Sequence, residues 1–98
     1  MTVPAELEVI GRLQRALAAF QKAQGLLLAA HRRLKGLSAE EVDRFWLAPG
    51  ARLEKHLAAT AAEVLAAFQA FSAAGLVADA GDRHLITEAR RLVAEGDR

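Results

Sequence analysis

Residues 51–74 have the sequence ARLEKHLAATAAEVLAAFQAFSAA, and the fold depends on whether this stretch forms one helix or two. Apolar residues recur along it at helical spacing, at Leu53, Leu57, Val64, Leu65, Phe68 and Phe71. In one interpretation the alanines between Leu57 and Val64 continue a single long helix, because alanine is the strongest helix former. In the other, the chain turns at Ala58-Ala59 and a second helix begins with Thr60 as its N-cap.

The residues before this stretch predict two further helices. Residues 4–35 are rich in alanine and leucine, with acidic residues in the first turn and basic residues in the last, as the helix dipole favours. Gly36 suits the C′ position that ends such a helix. Ser38, with Glu41 three residues later, is a capping box, which predicts a second, short helix that ends after Leu47.

The first predicted helix is long for a chain of 98 residues. At about 1.5 Å per residue it extends over about 45 Å, which exceeds the width of a domain of this size. A heptad-like apolar stripe runs along it. We therefore expect part of this stripe to form the interface of a homodimer. The candidate dimerisation residues are Leu13, Leu17, Phe20, Leu27 and His31.

The last quarter of the chain has a different pattern. Residues 76–79 and 84–87 are short, partly β-branched runs, and residues 80–82 between them are typical of a turn. Residues 76–87 therefore predict a β-hairpin. Thr87 would then act as the N-cap of a closing helix.

Residues 53–93 resemble the winged helix-turn-helix family. The resemblance rests on Leu53, Leu57, Thr60, Val64, Phe68, Phe71, Gly75, Leu76 and Val77, with Gly81-Asp82-Arg83 as the wing tip and Leu85-Ile86-Thr87 as the second wing strand. It implies a mainly α fold with a small β-hairpin wing in a single domain of residues 1–98. Residues 4–35 would be a long N-terminal dimerisation helix, and residues 38–96 a winged-helix-like core. The alternative fold is an all-α antiparallel helical bundle or hairpin.

The resemblance implies a small dimeric transcriptional regulator that binds double-stranded DNA. The helix that begins at Thr60 would approach the major groove, and basic residues would contact phosphates. The candidate nucleic-acid-binding residues are Arg52, Lys55, His56, Thr60, Ala61, Ala62, Gln69, Arg83 and His84. The net charge of only +1 counts against this function, and the outer faces of the predicted recognition helix carry no Arg, Lys or Asn for hydrogen bonds to base edges.

The alternative function is a non-catalytic protein-interaction or assembly module that does not bind DNA. Such a module would dock on a protein partner through the alanine-rich face of residues 61–70 or through the leucine stripe of the first helix. Phe45 and Trp46 also leave two roles open. They are either an exposed anchor for a partner or part of the core, and core filling is the commoner role in a small domain.

The composition excludes several classes of protein. Hydrophobic residues make up 53% and charged residues 26% of the chain, which is typical of a globular domain. Cysteine is absent, and the three histidines, His31, His56 and His84, form no local metal-binding pair. No phosphate-binding loop or nucleophile motif occurs. We therefore expect no enzyme activity, no metal and no cofactor.

The sequence also bears on location. No apolar run exceeds five residues, which is far short of a membrane span. Glu6 and Glu8 stand where a signal peptide would be basic. We therefore expect a cytoplasmic protein without a membrane partner.

Overall fold

The computed structural model describes residues 5–96 of the chain. This range contains helices and no strand. The helices are α1 (Ala5–Leu34), α2 (Ala39–Leu47), α3 (Pro49–Ala73) and α4 (Ala80–Gly96). The all-α alternative therefore fits, and the predicted mainly α fold with a β-hairpin wing is wrong.

The architecture is an antiparallel pair of long helices with a third helix laid against them. Ile10 near the start of α1 lies close to Phe71 near the end of α3, and Leu27 lies close to Leu57. Helix α4 runs back along α3, from the Phe71 end to the Leu57 end. It is 17 residues long and α3 is 25, so α4 leaves the far end of the α1–α3 pair uncovered. The short helix α2 lies at that end, in the connection between α1 and α3.

Small residues dominate the core. Among the described residues, 14 apolar side chains are buried, and seven of these are alanine. The buried alanines are Ala16, Ala23, Ala30, Ala61, Ala67, Ala78 and Ala89. A buried alanine fills little space, so the helix backbones must approach one another closely around it. Phe20, Leu13 and Val64 are the largest fully buried side chains between them.

One ion pair ties α1 to α3 across the edge of this core. The Arg12 guanidinium donates a hydrogen bond of 2.8 Å to the Glu63 carboxylate. This bond lowers the pKa of Glu63 and raises that of Arg12. Both side chains are about half exposed, so the pair contributes little to stability beyond fixing how the two helices align.

Helix α3 is continuous where the winged-helix interpretation required a turn. Residues 58–60 are helical, and the Thr60 hydroxyl donates a hydrogen bond of 2.8 Å to the carbonyl of Leu57. Thr60 is therefore an interior residue and not an N-cap. The alanines on both sides of it favour the helix, and nothing there interrupts the backbone hydrogen bonds. Helix α3 begins at Pro49, which suits the first turn because proline has no N–H to lose there.

The predicted hairpin over residues 76–87 is also wrong. Residues 76–79 are irregular and residues 80–87 are the first half of α4. The cause is Asp79, whose carboxylate accepts the backbone N–H of Asp82 at 2.8 Å while its carbonyl accepts that of Arg83 at 2.9 Å. Asp79 is thus the N-cap of α4. Thr87 lies inside the helix, and its hydroxyl donates to the carbonyl of Arg83.

Other sequence predictions are confirmed. Helix α1 matches the predicted helix over residues 4–35, although Pro4 itself lies outside the described residues. The backbone N–H of Glu41 donates to the Ser38 hydroxyl at 3.2 Å, as the capping box requires. Gly36 has a φ of +88°, the left-handed conformation that ends a helix at glycine.

The molecule is more elongated than most chains of its length. Its Cα radius of gyration is 16.3 Å, whereas a compact domain of 98 residues has one of about 12.6 Å. Its accessible surface is 6939 Å², against about 5,400 Å² for a compact monomer of 10.5 kDa. The chain therefore exposes about 1,500 Å² more than its size requires.

Substitutions at Asp79, the observed N-cap of α4, and at Thr87, the N-cap predicted from the sequence, distinguish a helix that begins at residue 80 from one that begins after residue 87. We expect Asp79→Ala to lower the free energy of unfolding by about 1 kcal/mol, because the backbone N–H of Asp82 loses its carboxylate partner. We expect Thr87→Ala to change it by less than about 0.5 kcal/mol, because Thr87 is an exposed interior residue. Urea denaturation followed by circular dichroism measures both. The reverse order of effects would contradict a helix that begins at residue 80.

Candidate interaction surface around the short helix

Helix α2 lies on the end of the α1–α3 pair without being enclosed by it. None of its residues is buried, and its apolar face of Val42, Phe45 and Trp46 is only half-buried. The ring centroid of Trp46 lies 5.0 Å from that of His31 on α1 and 5.1 Å from that of Phe45. Helix α2 is therefore held by a small aromatic contact and by its two connections.

Gly50 makes room for this contact. It is buried at the start of α3, and a Cβ atom built on it would lie 3.0 Å from Cε1 of Phe45 and closer still to the ring of Trp46. The Trp46 ring thus lies directly on the α3 backbone, where only glycine leaves enough space. The pairing of Trp46 with Gly50 fixes how α2 sits on α3.

Two open apolar grooves flank Phe45. The first has a volume of about 250 Å³ and lies between α1 and α3, and the second has about 520 Å³ and lies along α2. We call the residues that line them the tip surface: Leu26, Ala29, Ala30, Arg33, Leu34, Leu37, Glu41, Arg44, Phe45, Ala48, Pro49 and Leu53. Phe45 lines both grooves, so it stands at the middle of this surface.

Large apolar side chains of the tip surface are exposed to solvent. Leu26 and Leu37 are 44% and 45% exposed, and Leu47 at the end of α2, outside the two grooves, is 81% exposed. Apolar residues that are exposed close together around a groove are a common feature of interaction surfaces. An interaction surface is therefore the arrangement that the geometry of this end supports.

The charges on the tip surface are of both signs. Arg44 forms an exposed ion pair with Glu40 at 3.6 Å on the same helix. Arg33 lines the first groove and Glu41 the second, and neither has an ion-pair partner within residues 5–96. The tip surface thus combines an apolar centre with a positive and a negative charge that are unpaired within the described residues.

The structure uses the predicted dimerisation stripe mostly within one chain. Leu13, Leu17 and Phe20 are at most 5% exposed, because α3 and α4 pack over them. Because α3 is one unbroken helix, it is long enough to cover these three residues. Two shorter helices with a turn between them would not cover them in this way. Leu27 is half-buried, and His31 lies against Trp46. The first three are thus unavailable to a second copy.

The predicted nucleic-acid-binding residues fall into separate groups. Arg52, Lys55 and His56 are exposed together near the start of α3, and Ala62 and Gln69 are exposed further along it. Thr60 and Ala61 are 8% and 0% exposed within the core, so no duplex can reach them in this structure.

Arg83 and His84 are exposed at the opposite end of the molecule, and not on a wing. They follow Asp82 at the start of α4, which lies close to Phe71. The 19 residues from Arg52 to Phe71 extend over about 28 Å of helix. The basic residues that the resemblance brought together on one duplex are therefore far apart.

Other kinds of site have no support in the described part of the chain. No three His, Asp or Glu side chains of residues 5–96 converge as metal ligands. No helix in the same range has the length and hydropathy to cross a membrane. The pKa of Asp82 is raised by burial and by the charge of Asp79, and that of Glu88 is lowered by its hydrogen bond with Arg91. A helix cap and a surface ion pair explain these shifts without a catalytic role.

The sequence contains a signal for the tip surface that is also compatible with a role in the core. Phe45, Trp46 and Leu47 are three consecutive large apolar residues in a helix of nine, and one helix face cannot bury three neighbours. Leu47 consequently points away from the other two. The Pro49-Gly50 pair also signalled the close approach of Trp46 to the backbone, but it fits a simple turn equally well.

Comparisons with known proteins add no relative. No family model, no curated protein and no solved structure matches this chain. Nothing in these comparisons identifies a winged helix-turn-helix. The function has to be inferred from the residues and their geometry.

Replacement of Gly50 tests how α2 is held. Alanine favours a helix over glycine by about 1 kcal/mol, so Gly50→Ala would stabilise α3 if space allowed. We expect instead that the new methyl group displaces the Trp46 ring and red-shifts its fluorescence. Trp46 is the only tryptophan, so its emission reports on α2 alone.

Gly25→Ala is the matched control for this experiment. Gly25 lies in the interior of α1, whereas Gly50 is the second residue of α3, and a Cβ atom at Gly25 meets nothing within 4 Å. We expect this variant to gain up to about 1 kcal/mol of stability with unchanged Trp46 emission. Identical behaviour of the two variants would show that Trp46 does not rest on Gly50.

Proposed function

We propose that this chain is a non-catalytic protein-assembly module, and that its tip surface binds a second copy of the same chain. The observation that carries the proposal is the exposed apolar tip surface around Phe45, left open because α4 is shorter than the α1–α3 pair. The module would act by holding two copies together, without chemistry of its own.

The exposed area supports a partner of protein size. A typical specific interface buries about 1,600 Å² in total, or about 800 Å² on each partner. The chain exposes about 1,500 Å² beyond what a compact monomer of its mass exposes. This excess belongs to the whole elongated chain, and it exceeds the area that one partner of such an interface buries.

The character of the surface also supports self-association. Leucine and phenylalanine at its centre and charged groups at its edge follow the usual division of a protein interface into apolar core and polar rim. Both signs of charge are present, so the surface can complement itself. A surface meant for a nucleic acid would carry an excess of one sign.

A pair of leucines on α1 tests the proposal. Leu26 lines the first groove, and Leu28 lies about 200° around the helix from it, on the other flank. We expect Leu26→Gln to weaken self-association by at least about tenfold, because each copy loses buried apolar area. Sedimentation equilibrium up to about 1 mM protein measures the dissociation constant.

Leu28→Gln is the matched control in the same experiment. The two leucines are 44% and 52% exposed, so both substitutions remove similar area from the free monomer. We expect the control to dimerise like the wild type. A wild type that stays monomeric throughout would overturn the proposal, and equal losses in both variants would move the interface away from the tip surface.

A titration with generic duplex DNA tests the DNA-binding function predicted from sequence. We expect no salt-sensitive binding between about 50 and 200 mM salt, because the net charge is +1 and the basic groups lie at opposite ends. The comparison variant replaces Arg52, Lys55 and Arg83 by glutamate. Tight wild-type binding that this variant loses would restore the DNA-binding hypothesis.

A further inference from the structure

The position of Phe45 determines how two tip surfaces can meet. Phe45 lines both grooves, so the first groove and the second lie on its two sides. In a dimer with a two-fold axis, the same patch of both copies is buried, and what lies on one side of the axis meets what lies on the other. An axis that passes through Phe45 and runs between the two grooves faces the first groove of each copy with the second groove of its partner.

We propose that the dimer is a two-fold one centred on Phe45, and that Arg33 of each copy pairs with Glu41 of the other to select this arrangement. The inference rests on the proposed function, because it requires that the tip surface binds a second copy. It goes further in naming the symmetry and the residues that determine specificity.

Charge complementarity is the evidence for this pairing. Arg33 lines the first groove and Glu41 the second, and both are exposed. Neither is in an ion pair within residues 5–96, so both are free to meet a partner. The two-fold operation brings them together twice, once on each side of the axis.

The other charge on this surface does not oppose the arrangement. Arg44 also lines the second groove and would face the Arg33 side of the partner. It is already paired with Glu40, 3.6 Å away on the same helix. Glu40 and Glu41 together leave the α2 side of the surface with an excess of negative charge opposite Arg33.

Exchange of the two charges provides the experiment. Arg33→Glu places two carboxylates opposite each other at both contacts, and Glu41→Arg places two guanidinium groups there. We expect each variant alone to dimerise at least about tenfold more weakly than the wild type. An equimolar mixture of the two restores opposite charges at both contacts. We expect the mixture to form a heterodimer within about threefold of the wild-type dissociation constant.

Two control variants account for the general effects of charge reversal. Lys22→Glu reverses an exposed basic residue on α1, and Glu8→Arg reverses an acidic residue in the first turn of a helix, as Glu41→Arg does. We expect both controls to dimerise like the wild type. Circular dichroism verifies that all four variants are as helical as the wild type.

The outcomes separate this inference from the proposed function. A wild-type monomer at every concentration overturns both. A wild-type dimer that Leu26→Gln weakens, but that neither Arg33→Glu nor Glu41→Arg affects, keeps the tip interface and overturns the two-fold pairing. Single variants that weaken the dimer without recovery on mixing also overturn it. The pairing of Arg33 with Glu41 is supported only if each single variant dimerises more weakly and the equimolar mixture regains the wild-type affinity.

Discussion

The close packing of α1 against α3 is the interaction on which the rest of the structure depends. Alanines at positions 16, 23, 61 and 67 are at most 5% exposed and let the two helices approach one another. Phe20, Leu13 and Val64 fill the remaining space. Because α3 is unbroken, it covers the apolar stripe of α1 over most of its length. Helix α4 then packs on the surface that α1 and α3 form together. Helix α2 lies at the end of the pair that α4 does not cover.

Local signals in the sequence predicted much of this fold, and one ambiguous stretch led to the wrong architecture. The capping box at Ser38 and the glycine at position 36 are local features, so they are recognisable without knowledge of the partner helices. Leu85, Ile86, Ala89, Leu92 and Val93 have helical spacing, and Asp79 before them is a good N-cap. The β-branched residues and Gly81-Asp82 suggested a hairpin instead. Here the cap and the spacing outweighed residue preference.

The interaction surface could not be predicted in the same way, because it depends on which residues the other helices leave uncovered, and that is a property of the tertiary structure. Phe45 and Trp46 have the character of core residues, but α4 is shorter than α3 and they are only half-buried. Arg33 and Glu41 lie on different helices, and their places on the two sides of Phe45 arise from the tertiary structure. Leu13, Leu17 and Phe20, which were candidates for a dimer interface, lie in the core of one chain. Phe45 and Trp46, for which core filling was the commoner role, are only half-buried.

The alanine-rich core has a consequence for how this protein tolerates change during evolution. In most proteins the sensitive core positions hold large residues, and an alanine scan finds them. Here half of the buried apolar residues are already alanine, so an alanine scan leaves them unchanged and gives no information about them. Any larger side chain at these positions would push the helices apart. The only smaller residue is glycine, which disfavours a helix. Variation at the least conspicuous residues of the sequence should therefore be the most narrowly restricted.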